Sequence, residues 1–134
     1  MNVIIYNIIT NVIKKCLGMG SDKAQITVTL FCVETGEVLE YQYIWTGKTK
    51  VCHSPPWVKP AGCSRTHTPS HWQSEATYLQ IVIDVIVPYR LATIERLGRP
   101  ANQKLLLKHD LHFSHKSDAL LKFCEDNHIV LLPA

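Results

Sequence analysis

The chain has 134 residues, 46% of them hydrophobic and 19% charged, which is the balance of one small globular domain and excludes a disordered or fibrous chain. Lysine and arginine (14) exceed aspartate and glutamate (11), and the formal net charge of +3 permits nucleic-acid binding without requiring it. Five cysteines, an odd number without an evident secretory leader, favour reduced thiols in a cytosolic or nuclear protein over a disulfide framework.

The chain opens with an apolar, β-branched segment. Residues 3–10 predict a strand, and residues 11–24 predict a loop because they contain two glycines and a serine. Asn7 and Asn11 interrupt the apolar opening, which leaves it far short of the about 20 residues that a membrane-spanning helix needs. We therefore expect no membrane segment.

The next segment carries the clearest local pattern. Residues 25–33 and 38–45 are rich in β-branched and aromatic side chains, and they flank a turn whose Gly36 can adopt a positive φ. The pattern predicts a β-hairpin. The four prolines of residues 46–73 then predict a long loop without regular structure.

The second half predicts helices alternating with strands. A helix begins at Ser74, and Pro88 should kink or divide it. Its apolar residues can share one broad face; they are Leu79, Val82, Ile83, Ile86, Leu91 and Ile94. A strand at 104–108, a loop at 110–115, a helix at 118–127 capped by Ser117 and a strand at 129–132 follow. This order favours a mixed α/β sheet flanked by helices, and the ribonuclease H-like fold has it.

Three segments in sequence resemble the DDE endonuclease domain of pogo/Tigger-like transposases and their domesticated relatives. DKAQITVTLFCVETGEVLEYQYIWTGKT (22–49) is similar to the family's hairpin, which ends in Gly-Lys. CHSPPWVKPAGCSRTHTPSHWQSEATYLQIVIDVIVPYR (52–90) resembles its His/Pro-rich insertion, His-Trp motif and following helix. KLLLKHDLHFSHKSDALLKFCEDNHIVLLPA (104–134) resembles the strand of the second catalytic aspartate, a helix and a strand ending in Leu-Pro.

The resemblance implies a partial, incomplete ribonuclease H-like domain over residues 1–134. In it, residues 1–21 are a divergent N-terminal segment and residues 46–73 an insertion loop. The resemblance also implies a nuclear location, with a cytoplasmic one as the alternative.

The family's chemistry uses two divalent metal ions, Mg²⁺ or Mn²⁺, held by carboxylates. The resemblance places the second of three acids at Asp110, directly after an apolar strand. The first is absent, since no acid precedes Asp22, and the third would follow the Leu-Pro segment. One carboxylate cannot hold two cations, so we expect a vestigial ligand, no retained metal and no intrinsic cleavage. The other interpretation of Asp110 is a solvated loop acid. We expect His109, His112 and His115 to be polar loop residues, and a secondary metal or phosphate contact is their alternative role.

Three alternatives stay open. A structural zinc ion is the first, with four candidate ligands: Cys52, Cys63, His67 and His71. Residues 80–87 could instead be a strand that carries Asp84 as the first acid, although we expect a helix there because too few residues separate Asp84 from Asp110. A Cys/His hydrolase has the residue types but no nucleophile-centred motif.

Cations beside aromatic side chains suit a phosphate backbone with stacked bases. The candidate nucleic-acid-binding residues are Lys48, Lys50, Lys59, Arg65 and Trp72. The competing interpretation is a solvated loop whose tryptophans pack on the helix. We expect weak, non-specific nucleic-acid binding by a catalytically inactive domain, or a protein-interaction module or inert remnant without such binding.

Overall fold

The computed structural model describes residues 3–15, 23–49, 63–70, 72–109 and 117–133. Six strands form one mixed sheet in the order β4-β3-β2-β1-β5-β6. The strands are β1 (Val3–Lys15), β2 (Lys23–Val33), β3 (Tyr41–Thr46), β4 (Cys63–Thr68), β5 (Leu105–His109) and β6 (Ile129–Pro133). The prediction of a mixed α/β architecture is confirmed.

Strands β1 and β2 form a longer antiparallel pair than the sequence predicts. Residues 11–15 were predicted as loop, yet they continue β1 and pair with β2 as far as Lys15↔Lys23. The loop prediction was wrong there because the glycines and serine that indicated it lie at residues 18–21, whereas the backbone groups of residues 11–15 find their partners on β2. The residues between, 16–22, lie outside the described part of the chain.

The predicted hairpin of β2 and β3 is confirmed, with a shorter second strand. Gly36 has φ of +91°, and the Val33 amide donates to the Glu37 carbonyl at 2.8 Å across the turn. Regular pairing resumes only at Tyr41. Of residues 38–40, predicted as strand, Val38 forms an isolated antiparallel bridge with Cys32, and the Leu39 amide donates to the Phe31 carbonyl at 2.8 Å.

Strand β4 lies inside the predicted loop 46–73. Its six residues pair in parallel with β3, from Tyr41↔Cys63 to Thr46↔Thr68. The prediction of no regular structure was therefore wrong for residues 63–68. Their polar side chains gave no apolar alternation, because β4 lies at the edge of the sheet, where such residues are tolerated. Residues 50–62 and 71 lie outside the described residues.

The helix that begins at Ser74 has three consecutive parts. These are α1 (Glu75–Ile81), a π-helical turn (Val82–Ile86) and α2 (Val87–Arg96). Ser74 accepts a hydrogen bond from the Thr77 amide at 3.2 Å, and the Thr77 hydroxyl accepts one from the Ser74 amide. This capping box satisfies amides that the first turn leaves without helical partners. The predicted start is confirmed.

Pro88 divides the helix as predicted, by way of the π turn. Proline has no amide hydrogen to donate to the residue four positions before it. The amide of Val87, the residue before Pro88, donates to the Val82 carbonyl five positions back. This wider turn accommodates the missing proline hydrogen bond. Asp84 lies in this helical segment, exposed and bound by the Gln80 amide at 2.9 Å, so the helix interpretation of residues 80–87 is confirmed.

The wider turn also changes which side chains are buried. Val82 and Ile86 are 0% exposed, as a common apolar face predicts, but Ile83 and Leu91 are 38% and 52% exposed. Glu75–Arg96 is long and apolar enough to cross a membrane by length and composition, with 44% of its most apolar window buried. Its most buried residues pack in the protein core, as the core helix of a globular protein would.

The remaining elements continue the parallel side of the sheet. Helix α3 (Asp118–Asp126) joins β5 to β6, and Ser117 caps it by accepting from the Leu120 amide at 3.1 Å, as predicted. Strand β5 pairs in parallel with β1 and with β6.

Helix α1, the π turn and α3 bury residues in one core on one face of the sheet, which we term the helix side, and α2 packs Val87 and Tyr89 against it. The strand residues of that core alternate along β2 and β5 (Phe31 and Val33, Leu105 and Leu107), and Ile129 joins them from β6. Because side chains alternate along a strand, the residues between them define the opposite face, which we term the open face.

Buried Arg90 anchors the connection that precedes β5. The side chain is 5% exposed, and it donates to the Ala101 carbonyl and, from Nε and Nη2, to the Gln103 carbonyl at 3.1 and 2.8 Å. These carbonyls lie between α2 and β5 and belong to no strand or helix. Arg90 therefore fixes where β5 enters the sheet.

Candidate functional site

Asp110 directly follows the carboxyl end of β5 in the sequence, and the family resemblance predicts the second acid at this position. Leu105 and Leu107 are 2% and 0% exposed and His109 is 7% exposed, so the helix side of β5 is buried up to its last residue. His109 was predicted as a polar loop residue, and that was wrong, because it pairs with Pro133 of β6. Asp110, His112 and His115 lie outside the described residues.

Strand β1 lies beside β5 at this edge. The pairing runs in parallel from Val3↔Leu105 to Tyr6↔Lys108. No Asp or Glu occurs in β1 between Val3 and Lys15. A residue that follows β5 thus has no carboxylate beside it on this neighbouring strand.

Strands β3 and β4 bring aromatic and basic side chains together on the open face. Tyr41, Tyr43 and Trp45 alternate with buried residues of β3 and are half-buried. Their ring centroids are 6.4 Å apart for the two tyrosines and 5.6 Å apart for Tyr43 and Trp45. Parallel pairing sets Arg65 beside Tyr43 and His67 beside Trp45. We term these five residues the aromatic-basic row.

The predicted nucleic-acid-binding residues fall into separate places. Arg65 belongs to the aromatic-basic row, and Lys48 is exposed two positions after β3 ends. Trp72 is 48% exposed and lines a cleft of about 560 Å³ with Thr66, His67 and Thr68 of β4. Arg65, on the same strand, does not line this cleft. Lys50 and Lys59 lie outside the described residues.

A buried amide network connects β3 to the start of α1. Gln42 Nε2 donates to the Thr77 carbonyl at 2.9 Å, and Gln73 Nε2 donates to Gln42 Oε1 at 3.2 Å. Gln42 and Gln73 are 0% and 2% exposed. Sequence reasoning missed this network, although a glutamine between two aromatic strand residues was a signal of a buried polar group with a partner.

The candidate zinc ligands do not converge in the described residues. Cys63 and His67 stand four positions apart in β4, a separation of ~13 Å along a strand, and zinc needs its ligand atoms within about 2.3 Å. Cys52 and His71 lie outside the described residues. Within the described ranges, no group of three or more His, Cys, Asp or Glu could hold a metal ion.

Two side chains have raised pKa values for reasons of packing. Burial raises the pKa of the Cys124 thiol from 9.0 to about 11, so this cysteine is a neutral core residue and a poor nucleophile. Burial likewise raises the pKa of Tyr89, whose hydroxyl donates to Glu37 Oε2 at 3.3 Å. Neither group lies beside the aromatic-basic row.

Comparison with known proteins gives a likeness of fold. No family model and no curated protein matches the chain. Among solved structures, a pre-cleavage Mos1 transpososome matches 98% of the chain with a TM-score of 0.60 at 14% identity. A Mos1 transposase paired-end complex with the left transposon end has a TM-score of 0.55 at 14% identity. The mariner Mos1 paired-end complex with Mg has a TM-score of 0.53 at 17% identity.

The chain has a transposase-like fold. Each match includes 98% of this chain. It includes only 36% of the Mos1 chain in the pre-cleavage transpososome and 35% of the Mos1 chain in the other two structures. The matched chains are thus nearly three times as long. The similarity supports a transposase-like fold and does not single out the pogo/Tigger group.

Proposed function

We propose that the chain is a DDE-type domain derived from a pogo/Tigger-like transposase, with a ribonuclease H-like fold, that binds nucleic acid and does not cleave it. Its order of strands and helices supports this, as does the likeness to Mos1 transposase complexes over 98% of the chain. The three sequence segments that resemble the pogo/Tigger group carry the finer assignment. A nuclear location goes with it, and residues 1–21 and 46–73 are its divergent segment and insertion, the latter including β4.

The observation that carries the proposal is the absence of acidic residues from β1, the strand beside β5. Asp110 follows β5, the position of the family's second acid, and its neighbour β1 offers no carboxylate. Mg²⁺ or Mn²⁺, when bound, would polarise a phosphate and activate a nucleophile, and two such ions need several acidic ligands. A single carboxylate is too few for them. Cleavage therefore requires acids from outside these strands.

Binding requires less than cleavage. Phosphate attraction depends on cations rather than on a complete set of acids, and the proposed contacts are Lys48, Lys50, Lys59, Arg65 and Trp72. Of these, Arg65 stands in the aromatic-basic row and Lys48 is exposed. The binding should be indifferent to sequence.

Fluorescence anisotropy with labelled oligonucleotides at increasing salt tests the binding. We expect measurable affinity at low salt, and a log Kd that rises linearly with log salt concentration. Arg65→Gln should reduce the slope by about one, whereas Arg96→Gln, at an exposed arginine near the end of α2, serves as the matched control. Absence of affinity for any oligonucleotide at low salt would remove this function.

A plasmid nicking assay tests the lack of cleavage. With Mg²⁺ or Mn²⁺ present, wild type and Asp110→Ala should both leave supercoiled plasmid intact. Asp126→Ala, an exposed acid at the end of α3, is the control. Nicking by wild type that is lost in Asp110→Ala and kept in Asp126→Ala would show an active nuclease and contradict the proposal.

A protein-interaction module is the second candidate. Strands β4 and β6 are the two edges of the sheet, and Leu121 and Leu132 near β6 are 47% and 36% exposed. Unpaired strand edges and exposed apolar side chains recruit partners. A pull-down with and without nuclease treatment separates the candidates, since contacts that survive nuclease favour the protein module.

A further inference from the structure

The open face differs from the helix side in what covers it. The buried apolar residues of α1, the π turn and α3 belong to the core on the helix side, and Val87 and Tyr89 of α2 pack against that core. In the described part of the chain, no helix contributes a buried residue to the open face. Its side chains are mostly half-buried, and Val28, paired with Tyr43, is the most buried of those described.

The charge of the sheet has a single sign. None of the six strands contains Asp or Glu, whereas Lys14, Lys15, Lys23, Arg65 and Lys108 are all strand residues. Arg65 and Lys108 alternate with buried helix-side residues and therefore belong to the open face. A polyanion approaching this face meets cations and no strand carboxylate.

The aromatic-basic row adds flat rings to this charge. Three aromatic side chains stand at every second position of β3, with centroids about 6 Å apart. Successive bases of an extended strand can stack on such rings, and sheet faces that carry aromatic side chains bind single-stranded nucleic acid in this way. Arg65, in register with Tyr43, supplies a basic side chain beside these rings for the phosphates between bases.

We propose that the open face of strands β2, β3 and β4 binds single-stranded nucleic acid, with bases stacked on Tyr43 and Trp45 and the backbone held by Arg65. This deepens the proposed nucleic-acid binding and rests on it. A duplex presents paired, stacked bases that these rings cannot reach, and it offers phosphates alone. The face should therefore prefer single strands to duplex of equal length.

The test compares a labelled oligothymidylate with a duplex of the same length by fluorescence anisotropy, using the whole chain. Tyr43→Leu and Trp45→Leu keep apolar volume but remove the ring face. Each should weaken single-strand binding by roughly tenfold, the effect of one lost stacking contact, and leave duplex binding nearly unchanged. Tyr89→Leu, a half-buried tyrosine on the helix side, is the matched control.

A second readout protects the test against a variant that does not fold. In a Trp57→Phe/Trp72→Phe chain, Trp45 is the sole tryptophan. Oligothymidylate should quench its fluorescence, and duplex should quench it much less. Melting followed by circular dichroism identifies variants whose loss of binding reflects unfolding.

Three results would overturn the inference. Equal affinity for single strand and duplex, unchanged in Tyr43→Leu and Trp45→Leu, would place binding elsewhere and leave the proposed function intact. Affinity for no nucleic acid would remove both proposals. If only a second copy of the chain or an acidic protein changed the fluorescence of Trp45, the open face would be a protein-docking surface.

Discussion

Neighbouring residues of one strand face different environments on the two sides of this sheet. On β5, Leu107 is 0% exposed in the core, while Leu106 beside it is half-buried on the open face. On β3, Gln42 is 0% exposed and hydrogen-bonded, while Tyr43 is half-buried and packs against the tilted ring of Trp45. The helix side therefore contains the core that stabilises the fold, and the open face presents half-buried aromatic and basic side chains.

The largest expected effect separates the two leucines of β5. Leu107→Ala should lower the free energy of unfolding by about 2–5 kcal/mol, because it opens a cavity in a close-packed core. Leu106→Ala removes the same atoms from a half-buried site and should cost under about 1.5 kcal/mol. Urea denaturation monitored by circular dichroism measures both. Equal losses would mean that the open face is packed as tightly as the core.

Substitution of Arg90 and of Arg65 should give the next largest difference in stability. Arg90→Met should destabilise the fold by about 2–3 kcal/mol, because it removes charged hydrogen bonds and leaves the Ala101 and Gln103 carbonyls without their donor. Arg65→Met should change stability much less and weaken oligonucleotide binding. Thermal melts and anisotropy on the same samples make the comparison. A larger stability loss for Arg65→Met would assign Arg65 a structural role.

The sequence predicts the locally determined features well. Ser74 and Ser117 cap their helices through hydrogen bonds to amides three residues later, and Gly36 adopts the positive φ of its turn. Each feature depends on residues within a few positions, so sequence spacing contains the information.

The sequence did not predict the features that depend on residues distant in the chain. Residues 11–15 and 63–68 become strands because β2 and β3 supply partners, although nearby glycines for the first and polar composition for the second indicated loops. The π turn before Pro88 shifts the buried side of the helix, so Ile83 and Leu91 are exposed. The expected site at Asp110 came from a family resemblance alone, while the amide network and the aromatic-basic row emerge only from strand register.

The buried amide network sharpens the comparison within β3. Gln42→Leu should cost about 1–3 kcal/mol of unfolding free energy, since it leaves the Thr77 carbonyl and the Gln73 amide without partners. Tyr43→Leu, its neighbour on the open face, should cost less and impair single-strand binding instead. Denaturant titration and anisotropy give the two numbers. A neutral Gln42→Leu would show that water readily replaces the network.

The smallest effects come from two cysteines on opposite sides. Cys124 is 2% exposed on the helix side, and Cys32 is half-buried on β2, where it alternates with core residue Phe31. We expect iodoacetamide at pH 8 to label Cys32 faster than Cys124, because the pKa of the Cys124 thiol is about 11 and only the thiolate reacts. Peptide mapping by mass spectrometry compares the two sites in one sample.

The Cys124 thiol should also make the stability of the fold sensitive to alkaline pH. The unfolded thiol ionises near 9.0 and the folded one near 11, so the unfolded chain loses this proton first. The thiol's contribution to stability is therefore complete below about pH 9 and is lost as the pH rises towards 11. Cys124→Ala should remove that decline, and a decline that persists in it would assign the alkaline sensitivity to other groups.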